Sequence, residues 1–218
     1  GGWVCKENGQ DIDMPRIATM VRSQQPGLLI VDRTIHGPYE NYRTPERTIP
    51  EHRLDYPWES CIPLSDDWGW VPRPRWKSAR QIINMLIEVV GKGGNLMLGI
   101  GPTADGLIEP EAEQRLREIG LWLKKNGRAI YGTTPLPLME EPEGAFTVSK
   151  DGRRYALFTL PEGETLPKTL SWKGLLPQPN ATMRLVSTGQ KLRWEIQDGC
   201  ITVTLPQKLP DEPLAIEF

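Results

Sequence analysis

Histidine and cysteine are scarce in this 218-residue chain, with two of the first and three of the second. Cys5, Cys61 and Cys200 stand far apart without a CxxC pair, so neither a zinc site nor a disulfide framework is expected, and the redox compartment stays open. His36 and His52 lie near no serine or cysteine motif, which argues against a Ser-His or Cys-His triad. A charge excess is also missing. Lys and Arg number 26 against 28 Asp and Glu, a formal net charge of −2 that gives no reason to expect a nucleic acid or an anionic membrane as partner. No apolar run approaches the roughly 20 residues that a membrane span needs. Glycine and proline, at 21 each, are plentiful and point to a loop-rich protein. Of eight tryptophans, Trp3, Trp58, Trp68, Trp70 and Trp76 fall early in the chain. Flat indoles suit the apolar faces of sugar rings, though they serve as readily in a core.

The pattern along the chain changes character once. Asp13-Met14-Pro15 reads as a helix start, with Asp13 as N-cap and proline in the first turn, and the apolar stripe ends near Gln25-Pro26-Gly27. Leu28 to Val31 reads as a compact buried strand closing on Asp32-Arg33. Thr34 to Pro57 reads as one long loop, too long to be idle in a compact domain. Trp58 to Ile62 then reads as a strand. From Ser78 the apolar residues Ala79, Ile82, Ile83, Leu86, Ile87 and Val90 recur at helical spacing. Asn95 to Ile100 predicts a strand, and Pro110 opens a second amphipathic helix stopped by Asn126-Gly127. This alternation predicts half of a (β/α)8-like barrel, not a whole one, over residues 1–136. After Pro135-Leu136-Pro137 the helices cease. Seven short strands separated by turns such as Asp151-Gly152 and Asp198-Gly199 predict an all-β antiparallel sandwich over residues 140–218.

Several residues could carry chemistry, each beside a plainer reading. Asp32-Arg33, at a strand end, is either a salt-bridged pair or an arginine aimed at a ligand. Glu59, beside Trp58, could be a carboxyl group kept protonated by desolvation and used as a general acid, or a structural carboxylate. Glu46 is a second acid within the long loop, or a solvated loop residue. Asp66-Asp67 lacks ligand spacing, so no metal is expected. Gly91-Lys92-Gly93-Gly94 follows a helix and has no Ser or Thr after Lys92, which rules out a phosphate loop. In the sandwich, Trp172 or Trp194 stacking on glycans would make a non-catalytic carbohydrate-binding or interaction protein, the alternative reading.

The motifs also carry a resemblance. GKGGNLMLGIGPTADG, from Gly91 to Gly106, is similar to the "GGNLLLNIGP…DG" segment of α-L-fucosidases, the retaining enzymes of glycoside hydrolase family 29. Val31-Asp32-Arg33 is similar to that family's strand end "VDR". Thr44-Pro45-Glu46 followed by Trp58-Glu59 keeps its order of "TPE" and "WE". Trp68-Gly69-Trp70 resembles its "SWGY" loop, and Asn126 to Thr133 is similar to "NGEAIYGT". The matches run over roughly residues 1 to 133. The resemblance implies an exo-α-L-fucosidase working by double displacement on fucosylated glycans, with no metal and no organic cofactor. It gives Arg33 a contact with bound fucose and makes Trp3, Trp58 and Trp70 substrate-binding candidates. The acid/base is expected at Glu59, with Glu46 in reserve. The family's nucleophilic aspartate lies in a segment like "W-x-D-G-G-W", so it is expected immediately before Gly1, in a missing N-terminal half. The chain alone is then expected to be inactive, and the complete protein to be secreted or periplasmic.

Overall fold

The computed structural model describes Gly9 and residues 11–31, 37–136, 145–178 and 180–218. Helix α1, Met14–Gln24, starts where Asp13 accepts the Arg16 N–H at 3.3 Å, with Pro15 in its first turn. Strands β1, Glu59–Pro63, and β2, Asn95–Gly99, pair in parallel with Glu59 opposite Asn95, Cys61 opposite Met97 and Pro63 opposite Gly99. Helix α2, Ala79–Gly91, connects them. It begins in a capping box, in which the Ser78 side chain accepts from the Gln81 backbone while the Gln81 side chain accepts from Ser78 N–H. Its Ile82, Ile83, Ile87 and Val89 are buried. Helix α3, Pro110–Asn126, follows β2.

A third strand-like segment flanks β1 on its other side. Arg43 N–H donates to Pro57 O (3.0 Å), Glu59 N–H to Arg43 O (2.9 Å), Cys61 N–H to Pro45 O (3.1 Å) and Arg47 N–H to Cys61 O (2.8 Å). This is a parallel ladder, registered by the bridges Arg43 to Trp58 and Glu46 to Cys61. Pro45 has no N–H, so the ladder stays short of a full strand. Residues 34–57, read from sequence as one loop, therefore hold a barrel element. The second correction concerns Leu28 to Val31. These residues form no strand, and Leu29 is 69% exposed. The Ile30 N–H donates to the Asn41 side chain (2.9 Å) and its carbonyl accepts the Asn41 backbone N–H (2.8 Å), so Asn41 occupies both groups that a ladder would use.

The remaining strands are antiparallel. One sheet runs β3 (Thr134–Pro135), β4 (Phe146–Lys150), β5 (Arg153–Phe158), β10 (Leu214–Glu217) and β7 (Arg184–Leu185). The other runs β6 (Thr169–Lys173), β9 (Cys200–Thr204) and β8 (Arg193–Gln197). The hairpins β4–β5 and β8–β9 turn at Asp151-Gly152 and Asp198-Gly199, where both residues of each pair have positive φ. Period-two alternation lets the five-stranded sheet serve two cores. Ala156, Phe158, Leu214 and Ile216 face the three-stranded sheet around Trp172, whereas Tyr155, Leu157, Val148 and Ala215 face α2 and α3. Trp122 of α3 donates its indole N–H to Pro213 O at 2.7 Å, and Arg80 of α2 donates to the carbonyls of Pro161, Glu164 and Asp211. The chain is thus a partial (β/α) barrel backed by an antiparallel sandwich, joined through α2 and α3.

Candidate active site

Strand direction decides where a barrel keeps its chemistry, at the C-terminal ends of its strands. Here three such ends meet: Arg47 after the ladder of residues 43–47, Leu64 to Trp70 after β1, and Ile100 to Glu109 after β2. The β1 and β2 ends are locked by Leu64 N–H donating to Gly99 O at 2.8 Å. The loops beyond them touch backbone to backbone. A Cβ on Gly101 would stand 2.5 Å from Trp70 N and nearer still to the Gly69 carbonyl carbon. Only glycine permits that approach. Trp68 lies against Gly99, and the Trp70 indole N–H donates to Glu109 at 2.6 Å while the ring stays 41% exposed. The result is a wall with two indoles over the strand ends.

Cations hold this wall in place. Lys77 donates its ammonium to Pro63 O (2.8 Å) and Ser65 O (2.9 Å). Burial pushes its pKa below the ordinary 10.5, with the nearby Arg47 adding to the effect and Asp66 opposing it. Arg75 pairs with Asp66 at 2.7 Å, and that hydrogen bond raises the pKa of the guanidinium. Arg47 donates to Asp66 O at 2.8 Å, reaches Asp67 at 3.5 Å and lies over the Trp68 ring, 5.1 Å from its centroid.

The acids divide by their place on the strands. Leu96 and Leu98 of β2 pack toward the helices, so Met97, 45% exposed, faces the other way, which is the interior of a closed barrel. Cys61 shares that face, its sulfur 3.5 Å from that of Met97. Glu46, paired with Cys61, lies on the same face one residue before the ladder's end. Glu59 shares the face two residues earlier than Cys61, and it opens β1 at the N-terminal end. The two glutamates therefore occupy different levels, and Glu46 is the one beside the wall.

The tryptophan candidates separate as well. Trp58 is 1% exposed and packs under Gly94, where a Cβ would come within 2.5 Å of the indole. This corrects its reading as a sugar contact: the indole has no open face. As strand neighbours Trp58 and Glu59 point to opposite sides, so the indole does not cover that carboxyl group either. Trp70 keeps an open face. Trp3 and Arg33 lie outside the described residues. In the sandwich, Trp172 is 1% exposed and meets Phe158 and Phe218 edge-on at 5.6 Å, so it is core. Trp194 is half-buried, with its N–H donated to Ala181 O at 3.1 Å. Arg47, Lys77 and Gly101 escaped sequence reasoning. The available signal was their closeness in sequence to Glu46, to the tryptophan loop and to the glycine-rich strand. Among the described residues no group of three or more His, Cys, Asp or Glu could share a metal ion, and no helix is long and apolar enough to cross a membrane.

The comparisons agree with this architecture. The family described as "Alpha-L-fucosidase" matches residues 1–128. Plasma alpha-L-fucosidase of Homo sapiens is 33% identical over 186 residues, covering 79% of this chain and 38% of that protein. Alpha-L-fucosidase isoenzyme 1 from Paenibacillus thiaminolyticus superposes with a TM-score of 0.81 at 28% identity, covering 94% of this chain and 53% of that one. Thermotoga maritima alpha-fucosidase, solved in complex with fucose, gives a TM-score of 0.75 at 27% identity, covering 94% and 48%. The chain thus spans about two-fifths of the curated relative's length and about half of the solved structures. A family match over more than half of these residues, on the expected partial barrel and sandwich, shows that the chain belongs to the α-L-fucosidase family, of which it carries the C-terminal part.

Proposed function

We propose that this chain supplies the acid/base and one wall of the pocket in a retaining exo-α-L-fucosidase that releases terminal L-fucose from fucosylated glycans. The observation that carries the reading is the place of Glu46: on the interior face of a barrel strand, one residue before its C-terminal end, beside the Trp68–Trp70 wall. That position favours Glu46 over Glu59, which begins its strand at the opposite end. A retaining glycosidase needs two carboxyl groups about 5–5.5 Å apart. The nucleophile would be an aspartate from the part of the relatives that this chain does not span.

In the first step the aspartate attacks the anomeric carbon as the glycosidic C–O bond breaks, forming a fucosyl ester. Glu46 gives its proton to the departing oxygen. In the second step Glu46, now a carboxylate, takes a proton from water as the water oxygen attacks the same carbon. The ester bond breaks, the aspartate leaves as carboxylate, and L-fucose departs with retained configuration. Arg33, expected on the resemblance to contact fucose, and the exposed face of Trp70 would orient the sugar.

The test compares Glu46→Gln with Glu59→Gln in the complete enzyme, on aryl α-L-fucosides with good and poor leaving groups. Loss of the acid should depress the poor leaving group far more. If only Glu59→Gln shows that asymmetry, the assignment reverts to Glu59. The 218-residue chain alone should turn over neither substrate. Measurable release of aryl alcohol from it would refute the division of the carboxylate pair.

A further inference from the structure

Arg47 closes the strand of the acid and touches the aromatic wall. We propose that it is a positioning residue, setting the Glu46 carboxyl group against the Trp68 loop. The inference rests on the reading of Glu46 as acid/base.

Three observations carry it. First, the Arg47 backbone is left-handed, with φ of 58°, at a residue that is not glycine. Such a conformation is strained for any residue but glycine and persists where surrounding contacts over-determine it. Glycine would adopt it freely, so an arginine there implies a use for the side chain. Second, the side chain has three partners in one short loop: the Asp66 carbonyl at 2.8 Å, the Asp67 carboxylate at 3.5 Å and the Trp68 ring at 5.1 Å. A planar guanidinium can donate along its edge and stack by its face at once, which a lysine cannot. Third, the Arg47 N–H donates to Cys61 O at 2.8 Å, fixing the strand end directly after Glu46. The left turn at Arg47 ends the ladder and swings the guanidinium over the wall. Glu46, its covalent neighbour, is thereby tied to the loop that bears Trp68 and Trp70. Nothing in this arrangement asks Arg47 to touch substrate.

The test uses Arg47→Ala and Arg47→Gly in the complete enzyme, with Glu46→Gln run alongside. Both arginine variants should lose about 10- to 100-fold in kcat on the fucoside with the poor leaving group, and far less on the good one, because a displaced acid is missed most where protonation is needed most. KM should change less than kcat. Arg47→Gly relieves the left-handed strain, so its thermal midpoint should be no lower than that of Arg47→Ala. A purely structural role would instead make the catalytic loss follow the thermal midpoint, equally for both substrates. That pattern, or full activity of Arg47→Gly on the poor leaving group, overturns the proposal. Should Glu46→Gln show no leaving-group dependence, the acid assignment fails. Should Glu46→Gln show it while the arginine variants do not, the positioning role alone fails.

Discussion

Gly101→Ala is the sharpest test of the wall itself. The added Cβ would stand 2.5 Å from Trp70 N and 2.9 Å from Gly69 O, against both of which only backbone is available to move. Ordinary carbon contacts lie at about 3.5–4.0 Å, so the two loops must part by about 1 Å. A flexible side chain would absorb that shift; peptide groups held between Gly99, Trp68 and Glu109 will transmit it. Overpacking of this kind costs about 1–3 kcal/mol in stability, a fall of several degrees in thermal midpoint. The functional effect should be larger than that fall suggests. Misplacing a binding wall by about 1 Å is worth up to about 100-fold in rate, or about 2.7 kcal/mol of transition-state stabilisation. The assay is kcat/KM on an aryl α-L-fucoside with the complete enzyme, with circular dichroism to show that the fold is retained. Gly120→Ala in α3 is the control, since nothing stands within 4 Å of its added Cβ. It should gain up to about 1 kcal/mol of helix stability and leave the kinetics unchanged. If Gly101→Ala keeps kcat/KM within about twofold of the parent while its thermal midpoint falls, the loops after β1 and β2 are packing alone, and the placement of the site is wrong.

Trp58→Ala should lower the thermal midpoint sharply, since deleting a buried indole costs about 3–5 kcal/mol, while KM of the folded enzyme stays near that of the parent; Trp70→Ala should do the reverse. A raised KM without lost stability in Trp58→Ala would return that residue to the pocket. Lys77 makes a prediction in pH. Burial lowers its pKa in the folded chain below the ordinary 10.5, so between the two values the unfolded chain holds more protons and stability rises with pH. Urea unfolding of the parent and of Lys77→Met across alkaline pH should show the parent gaining on the variant as pH climbs through that window, and parallel curves would refute the assignment. Trp172→Ala should destabilise the sandwich core without changing affinity for fucosylated oligosaccharides, measured by calorimetry; lost affinity with an intact fold would revive the carbohydrate-binding reading.

Much of the fold was legible because local signals and tertiary packing agree. The Asp13 N-cap, the helical stripe through Ile82, Ile83 and Ile87, and the Asp-Gly turns all act within a few residues. Seven of the eight strands in the two antiparallel sheets, β4 to β10, are legible for the same reason, since Asp-Gly pairs and period-two runs determine hairpins locally. The misreadings involve distant partners. Leu28 to Val31 has the composition of a buried strand, yet its backbone groups are met by Asn41, eleven residues from Ile30, and no periodicity reveals that. Residues 43–47 read as loop because proline and glutamate are poor strand formers and the segment has no apolar alternation. The ladder forms because β1 offers an edge and the single missing N–H of Pro45 is tolerated there.

The site shows a deeper limit. A glutamate's chemistry depends on which end of a strand it occupies, and that cannot be read from the glutamate. Glu59 reads as the better acid because an indole precedes it, but successive strand residues point to opposite faces, so Trp58 goes to the core and is not what covers the carboxyl group. Glu46 reads as a loop residue because Pro45 interrupts the pattern of its short strand. Once the ladder from Arg43 to Arg47 is set beside β1, polarity does the sorting: parallel strands share one C-terminal end, that end carries the loops, and of the two glutamates Glu46 is the nearer to it. The same argument explains why arginine follows Glu46. A left-handed residue is the shortest way to end the ladder, and an arginine there spans from the strand to the wall. Motif order could name both glutamates, but only strand direction could rank them.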